Sequence, residues 1–314
     1  MFDIIGHLTD KYVQYKSYSS YLNALNGSSF ATFRFEFKFG PDKVSYEYIK
    51  EDIKTTILER FEINGTLMAQ IDRKTSNKAV INFIGAETLN KELTNKNLSL
   101  LKYIKNNTQL DENEKNNNIF LKFFDYLDSM LFFRCLDHNM FLGLETEVGK
   151  IGEDIIERGN VKDLENFLNK AGIECRLKVE EELDRKILAF DFKGKTISFY
   201  EIASTGTKSL TLFYFWLQRL RESTRVKFVF IDEFDAFYHH ELSALIVEEL
   251  KRSGVQFILT THNTSIITND LLRPDCYFLM DKESIRSLSK STQKELREAH
   301  NIEKMYKAGS FDVQ

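Results

Sequence analysis

Two nearly continuous apolar runs, each followed at once by polar residues, limit most strongly the folds open to this sequence. The run "VKFVFID" leads into Asp232 and Glu233, and the run "VQFILTTH" ends at His262. Between them, "ELSALIVEELKRSG" has helical apolar spacing and a closing glycine. Apolar strands that alternate with helices are typical of a parallel sheet covered on both faces. Since functional residues in such sheets lie at the carboxyl ends of the strands, both polar segments are predicted at one edge.

The chain has 314 residues, which is enough for one large domain or for a core with a sizeable insertion. The pattern of apolar and polar residues changes along this length. The fold class predicted is α/β, with a parallel sheet flanked by helices, an N-terminal antiparallel β lobe and a helical insertion. Four segments are predicted: a helix and the antiparallel lobe over 1–86, the insertion over 87–175, the α/β core over 176–287, and a tail over 288–314.

Several elements within these segments have specific signals. A helix is predicted over 2–26, and a hairpin is predicted around Asn64-Gly65. The polar stretch "KNNTQLDENEKNNN" predicts an exposed, mobile loop. "STGTKSLTLFYFWLQRLRES" predicts a helix buried on most sides, and "CYFLMD" predicts a third strand of the parallel sheet.

Composition excludes some classes of protein. The net charge of -4 argues against a uniformly basic nucleic-acid surface, although a local basic face stays open. Three scattered cysteines favour a reducing cytoplasm over a disulfide framework. The N-terminus lacks the pattern of a signal peptide. The most apolar region, "IFLKFFDYLDSMLFFRCLDHNMFLGL", is interrupted by charges too often to span a bilayer. We therefore expect a cytoplasmic protein without a membrane segment.

The acidic pair Asp232-Glu233 has two interpretations. An Asp at the end of a strand can hold Mg²⁺ through its water shell, and the adjacent Glu can polarise a water for attack on a γ-phosphate. The alternative is a strand that ends in a solvated acidic turn. His262, one strand later, is either a structural histidine or a residue that contacts the same phosphate.

A third segment, "STGTKS", begins the buried helix. Hydroxyl residues and Gly206 at a helix N-terminus leave backbone N–H groups available to an anion. The alternative is an ordinary N-cap formed by Ser204 or Thr205.

In this order, the three segments resemble the AAA-like ABC-type ATPases found beside restriction and abortive-infection genes. "STGTK" matches that family's signature motif, "DEFDAFYH" its Walker B extension and "TTHNTS" its switch-histidine motif. "LLRPDCYFLMDK" and "HNIEKMYKAGSFD" resemble its C-terminal segments. The resemblance is strong over residues 199–314 and looser over 1–198.

The resemblance implies ATP and Mg²⁺ as cofactors. It implies that Asp232 serves the metal, that Glu233 acts on the attacking water and that His262 contacts the γ-phosphate. His239 lies near the position at which transporters and SMC-type proteins have the D-loop aspartate, which implies that it binds the cofactor. The implied signature loop, which contacts the triphosphate held by a second subunit, consists of Ser204, Thr205, Gly206, Thr207 and Lys208.

A phosphate-binding loop with the pattern G-x-x-x-x-G-K-[ST] is absent from the sequence. The triplet Gly194-Lys195-Thr196 is its nearest match, but Ala189 replaces the first glycine, and the segment is predicted to be a hairpin turn between two strands. In the resembled family this loop precedes an N-terminal helix, and the helical pattern here is already running at the first residue. We therefore expect the first strand and the loop to be missing from this chain, with a truncation, a misassigned start and a split protein as the alternatives.

Two functions remain open at this point. One is an ATP-driven dimer switch that controls an effector, in phage defence, with a second copy or a P-loop-bearing partner. The other is a catalytically inactive scaffold that presents its signature face to such a partner. Metal sites at Cys135 with His138, or at the adjacent His239 and His240, are disfavoured by their spacing. Gln70, within the predicted hairpin, is a poor candidate for the family's conserved glutamine.

Overall fold

A computed structural model describes residues 2–9, 21–24, 27–133, 141–142, 151–182, 185–222, 225–236, 240–282, 284–293, 296–297 and 300–311. The chain divides into two compact units: unit 1, Met1–Met130, and unit 2, Leu131–Gln314. Within the described ranges, none of the helices has the length and apolar content that a membrane crossing needs.

Unit 1 is built on a five-stranded sheet. Its strands pair in sequence order, and each pair is antiparallel. This confirms the predicted antiparallel lobe. The elements are α1 (Phe2–Leu8), β1 (Ala31–Phe39), β2 (Asp42–Lys50), β3 (Thr56–Ile63), β4 (Thr66–Asp72), β5 (Val80–Ile81), α2 (Leu100–Asn107) and α3 (Lys115–Asp128).

The hairpin between β3 and β4 follows from two residues with left-handed backbone. Asn64 has a φ of 51° and Gly65 a φ of 78°. These residue types tolerate that conformation, and two-residue loops of this kind match the twist of the flanking strands. The predicted hairpin is confirmed, and Gln70 lies in β4 opposite Arg60.

Two predictions for unit 1 need correction, one of a helix and one of a loop. The helix predicted over 2–26 is described as α1 only. Residues 21–24 are not helical, and residues 10–20 lie outside the described ranges. The polar stretch predicted as a loop contains the end of α2 and the beginning of α3. It is mostly exposed, as predicted, but Asn117 is buried and donates to the Ile84 carbonyl at 3.0 Å.

Unit 2 contains the predicted parallel strand pair within a four-stranded sheet. The further elements in chain order are β6 (Met130–Phe133), β7 (Phe141–Leu142), α4 (Ile151–Glu157), α5 (Val161–Lys170), β8 (Leu177–Glu182), β9 (Arg185–Asp191), β10 (Thr196–Ser198), α6 (Phe199–Ile202), α7 (Thr205–Glu222), β11 (Phe228–Ile231), α8 (His240–Ser253), β12 (Gln256–Leu259), β13 (Phe278–Met280), β14 (Ile285–Ser287) and α9 (Ile302–Lys307). Short 3₁₀ helices cover Thr264–Ile266, Pro274–Cys276 and Leu288–Lys290.

The strand order of this sheet is β12-β11-β6-β7, and β11 and β12 are parallel. Strand β6 lies in the region predicted to be helical. Its four residues are all buried, and a short, fully buried apolar run has no periodicity that separates a strand from a helix. The mixed α/β architecture confirms the predicted fold class.

Strand β13 does not join the parallel sheet. The segment "CYFLMD" does form a strand, but this strand pairs with β14 in a separate antiparallel ribbon. The prediction of a third parallel strand was therefore wrong. The 3₁₀ helix Pro274–Cys276 leads directly into β13, and Tyr277 between them donates from its hydroxyl to the Ile266 carbonyl at 2.7 Å.

Helix α7 is the centre of the core of unit 2. Its residues from Ser209 to Gln218 are all buried, which confirms the prediction of a helix buried on most sides. It shares one apolar cluster with the strand residues Val229 and Ile231 of β11. The helix therefore holds β11, and the residues after it, against the rest of the unit.

The triplet Gly194-Lys195-Thr196 lies at the turn between β9 and β10, which pair antiparallel. Lys193 and Gly194 have φ values of 49° and 110°. The Phe192 amide donates to the Lys195 carbonyl at 2.9 Å. The prediction of a hairpin turn rather than a phosphate loop is confirmed.

Candidate functional site

Parallel pairing brings two polar segments of unit 2 to one edge of the sheet. Ile231, the last residue of β11, pairs with Leu259, the last residue of β12. Asp232 and Glu233 follow the first strand, and Thr260, Thr261 and His262 follow the second. The structure thus brings together the acids and the histidine that the sequence marked.

Asp232 is held from two sides. Its amide donates to the Phe133 carbonyl at the end of β6, at 2.9 Å. Its Oδ1 accepts a short hydrogen bond from the Thr260 hydroxyl. One carboxylate oxygen is therefore oriented by the protein, and within the described part of the chain Oδ2 is left to meet other ligands.

Glu233 has an unusual backbone for a residue that is not glycine. Its φ is 46°, in the left-handed region, and its amide donates to Thr260 Oγ1 at 2.7 Å. Its Oε1 lies 3.9 Å from Nε2 of His262. The Glu233 side chain is 57% exposed and that of His262 is 95% exposed, so both groups are accessible to a ligand or to water.

A second hydrogen-bond network fixes the loops beside these residues. Asp235 accepts from the Thr261 hydroxyl at 2.6 Å and from the Ser243 hydroxyl at 3.1 Å. The Asn263 amide donates to Thr261 Oγ1 at 2.9 Å, and Asn263 Nδ2 donates to Ser243 Oγ at 3.3 Å. Because Thr261 and Asn263 flank His262, the network sets the path of the backbone that carries the histidine.

The predicted signature segment begins helix α7. The Thr207 amide donates to Ser204 Oγ at 3.1 Å, so Ser204 is the N-cap of this helix. Ser204, Thr205 and Lys208 are exposed, whereas Thr207 is buried. Among the described contacts, none joins this segment to the acids after β11 or to the histidine after β12.

The sheet edge offers carboxylate oxygens, which are ligands that Mg²⁺ prefers. Within the described part of the chain, no group of three or more His, Cys, Asp or Glu side chains could hold a metal. Mg²⁺ is usually bound by one or two carboxylates together with waters and substrate phosphates. Asp232, with one oxygen already oriented, fits that requirement.

A cavity of about 530 Å³ lies elsewhere in unit 2. It is lined by residues of α4, β8, β9, β10 and α6, among them Gly152, Glu182, Arg185 and Tyr200. Burial raises the pKa of the Tyr200 hydroxyl to about 12, so this group stays protonated at neutral pH. None of the predicted site residues lines this cavity.

Some of the residues considered from the sequence lie outside the described part of the chain or in unit 1. His239, Cys135 and His138 lie outside the described residues, and so does the side chain of His240. Gln70 lies in β4 of unit 1, opposite Arg60.

A family model described as "AAA domain, putative AbiEii toxin, Type IV TA system" matches residues 25–268, more than three quarters of the chain. The chain belongs to this AAA-domain family. The AAA domain is a P-loop NTPase fold, in agreement with the parallel strands and the polar edge. The matched range of the AAA domain includes Ser204, Asp232, Glu233 and His262. No curated protein matches the sequence.

Thr260 and Thr261 of the AAA domain belong to the segment "TTHNTS" that the sequence marked, but the sequence assigned them no role of their own, and Ser243 was not singled out. Two hydroxyl residues directly before His262 were a visible signal, because a hydroxyl can donate to one loop and accept from another. Ser243 carried no signal, since its link to Asp235 depends on how α8 packs.

Proposed function

We propose that this AAA domain is an ABC-type ATPase that hydrolyses ATP with Mg²⁺ in the cytoplasm and acts as a nucleotide-dependent dimer switch in phage defence. The observation that carries the proposal is the group of Asp232, Glu233 and His262 at the ends of two adjacent parallel strands. The family's link to an abortive-infection toxin supports the defence setting.

Each of these side chains has a role that its chemistry allows. Asp232 holds the water shell of the metal through the oxygen that Thr260 does not occupy. Glu233 accepts a hydrogen bond from the attacking water and so orients it. His262 donates to a γ-phosphate oxygen, beside Glu233. When bound, Mg²⁺ neutralises the charge that develops on the phosphate oxygens.

The phosphate-binding loop is the component that this sequence does not contain. In a P-loop NTPase the amides of that loop and its lysine supply most contacts to the phosphates. We propose that a missing N-terminal segment or a P-loop-bearing partner supplies it. The segment Ser204–Lys208, at the N-terminus of α7, then contacts the triphosphate across a dimer interface.

The absence of the loop pattern also favours a second candidate function. Without a bound nucleotide the acids and the histidine have no phosphate to act on. The chain would then be a scaffold or partner subunit that uses its signature segment to complete the site of another ATPase.

Calorimetry of Mg-ATP binding tests both functions. It uses the Glu233→Gln variant, which blocks turnover, first alone and then with an added N-terminal segment or a partner that carries a phosphate loop. We expect binding only when that segment or partner is present. Micromolar binding by the chain alone would reveal a phosphate site that the sequence does not show. Absence of binding in both cases supports the scaffold.

Hydrolysis by the reconstituted complex separates a catalytic role of Glu233 from a general effect of removing a charge. Glu248→Gln is the matched control, since Glu248 is similarly exposed at 48% and lies on α8 of the same unit. We expect Glu233→Gln to abolish turnover and Glu248→Gln to leave it unchanged. Equal rates for the two variants would remove Glu233 from the mechanism.

A further inference from the structure

Thr260 uses every hydrogen-bonding group it has to join the two loops at the sheet edge. Its hydroxyl donates to Asp232 Oδ1 and accepts from the Glu233 amide. Its backbone amide donates to the Ile231 carbonyl at 3.0 Å, and its carbonyl accepts from the Phe234 amide at 3.1 Å. Four consecutive residues, from the end of β11 onward, are therefore tied to this threonine.

The direction of the hydroxyl bonds is fixed by chemistry. A backbone amide can only donate, so Thr260 Oγ1 must accept from Glu233, and its single proton is left for Asp232. Oδ1 of Asp232 accepts this hydrogen bond. The hydroxyl therefore restrains the orientation of the Asp232 side chain.

Glu233 needs such a restraint because its backbone conformation is unfavourable. A residue with a side chain seldom adopts a φ of 46° and does so where the surrounding structure holds it there. The hydrogen bond to Thr260 comes from the Glu233 amide itself, so it restrains the backbone at this residue. Loss of the bond frees the backbone, and the carboxylate no longer stays 3.9 Å from His262.

Thr261 makes the corresponding contacts on the histidine side, through Asp235 and the Asn263 amide. The two threonines thus have separate tasks: Thr260 restrains the acids, and Thr261 restrains the loop of His262. Each can be removed without removing the other.

We propose that Thr260 is a positioning residue for hydrolysis, which acts by setting the geometry of Asp232 and Glu233 rather than by contacting the nucleotide. This inference rests on the proposed ATPase function. It assigns a role to a side chain that lies within the motif "TTHNTS" but for which the sequence implied no function.

The first experiment requires no nucleotide. Amide hydrogen exchange of Glu233 is measured by NMR in the wild-type chain and in Thr260→Val, which keeps the shape of the side chain and removes its hydroxyl. We expect exchange at least tenfold faster in Thr260→Val and close to wild type in Thr260→Ser. The matched control is Thr211→Val, because Thr211 is a buried threonine of the same unit whose hydroxyl donates to the Thr207 carbonyl within α7.

The second experiment measures kcat and KM for ATP in the complex that binds nucleotide. A misplaced catalytic group can cost about a hundredfold in rate. We expect Thr260→Val to lower kcat by about tenfold to a hundredfold with KM within about twofold of wild type, Thr260→Ser to restore kcat, and Thr211→Val to have no effect. Unchanged kcat in Thr260→Val, or equal losses in Thr260→Val and Thr211→Val, overturns the proposal.

The two experiments separate the inference from the function on which it rests. If the wild-type complex hydrolyses no ATP, the proposed function fails and a role in hydrolysis for Thr260 fails with it, even where exchange shows that the contact exists. If the wild type hydrolyses ATP and exchange at Glu233 is unaffected by Thr260→Val, the function stands and the positioning role is wrong.

Discussion

Glu59 is a carboxylate buried completely in unit 1, and its removal should destabilise that unit strongly. Three donors meet it: the Tyr46 hydroxyl at 3.0 Å, the Ser99 hydroxyl at 2.8 Å and the Leu100 amide at 2.7 Å. His7 lies 3.8 Å away and is itself 6% exposed. The carboxylate therefore connects β3 to β2, to the beginning of α2 and to α1.

The size of the destabilisation caused by Glu59→Ala follows from the buried donors that would lose their acceptor. A buried donor left without a partner costs about 1 to 3 kcal/mol, and three donors lose their acceptor when Glu59 is removed. Relief of the desolvation of Glu59 itself offsets part of the sum. We therefore expect Glu59→Ala to lower the free energy of unfolding of unit 1 by about 3 to 5 kcal/mol.

The pH dependence of stability has a defined sign. Burial raises the pKa of Glu59, but the neighbouring His7, the Leu100 amide and the Ser99 hydroxyl together hold it below its ordinary value of 4.5. A carboxylate whose pKa is lower in the folded chain than in the unfolded chain stabilises the fold at any pH above its pKa in the unfolded chain. That stability is lost as the pH falls through its pKa in the folded chain. Stability should therefore decline below about pH 4.5, and less so in Glu59→Gln.

The assay is hydrogen exchange across residues 56–72 during a urea titration, because these residues belong to unit 1 and report on it directly. Glu62→Ala is the control. Glu62 lies on the other face of β3, and its ion pair with Arg60, which is half exposed, contributes at most about 1 kcal/mol. Equal, small effects of the two substitutions would refute the assignment of Glu59 as the central acceptor.

Three further predictions concern single elements. Leu210→Ala, in the buried face of α7, should lower the stability of unit 2 by about 2 to 5 kcal/mol, measured as the urea midpoint of Trp216 fluorescence. Gly65→Ala should cost about 1 kcal/mol, since its φ of 78° disfavours a side chain, and exchange in β3 and β4 reports it. Ser204→Ala should cost about 1 kcal/mol by loss of the cap of α7, seen as faster exchange of the Thr207 amide.

Each of these predictions has its own comparison. Ile202→Ala, at an exposed position of unit 2, should change the urea midpoint little, and a shift as large as that of Leu210→Ala would contradict the prediction for Leu210. Unchanged exchange in β3 and β4 would contradict the prediction for Gly65→Ala. Ser204→Asn should preserve protection of the Thr207 amide, because asparagine also caps helices, and a loss of protection there would contradict the prediction for Ser204.

The sequence by itself determined the local elements and the chemistry placed at their ends. Alternation of apolar and polar residues predicted the antiparallel lobe, and Asn64-Gly65 predicted its hairpin. Continuous apolar runs with a helix between them predicted that β11 and β12 are parallel, which put Asp232 and His262 at one edge. These signals are local, because periodicity and turn chemistry act over a few residues.

Tertiary structure decided which distant segments meet. Strand β6 lies beside β11 although about a hundred residues separate them, and β13 pairs with β14 instead of extending the parallel sheet. Thr260 binds Asp232 across 28 positions of sequence, and Glu59 binds Ser99 across 40. An apolar run indicates that a segment is buried, and a hydroxyl indicates that a residue can form a hydrogen bond. Neither signal identifies the partner residue. The partner is chosen only when the whole chain packs, since each contact must compete with every other arrangement of the same surfaces.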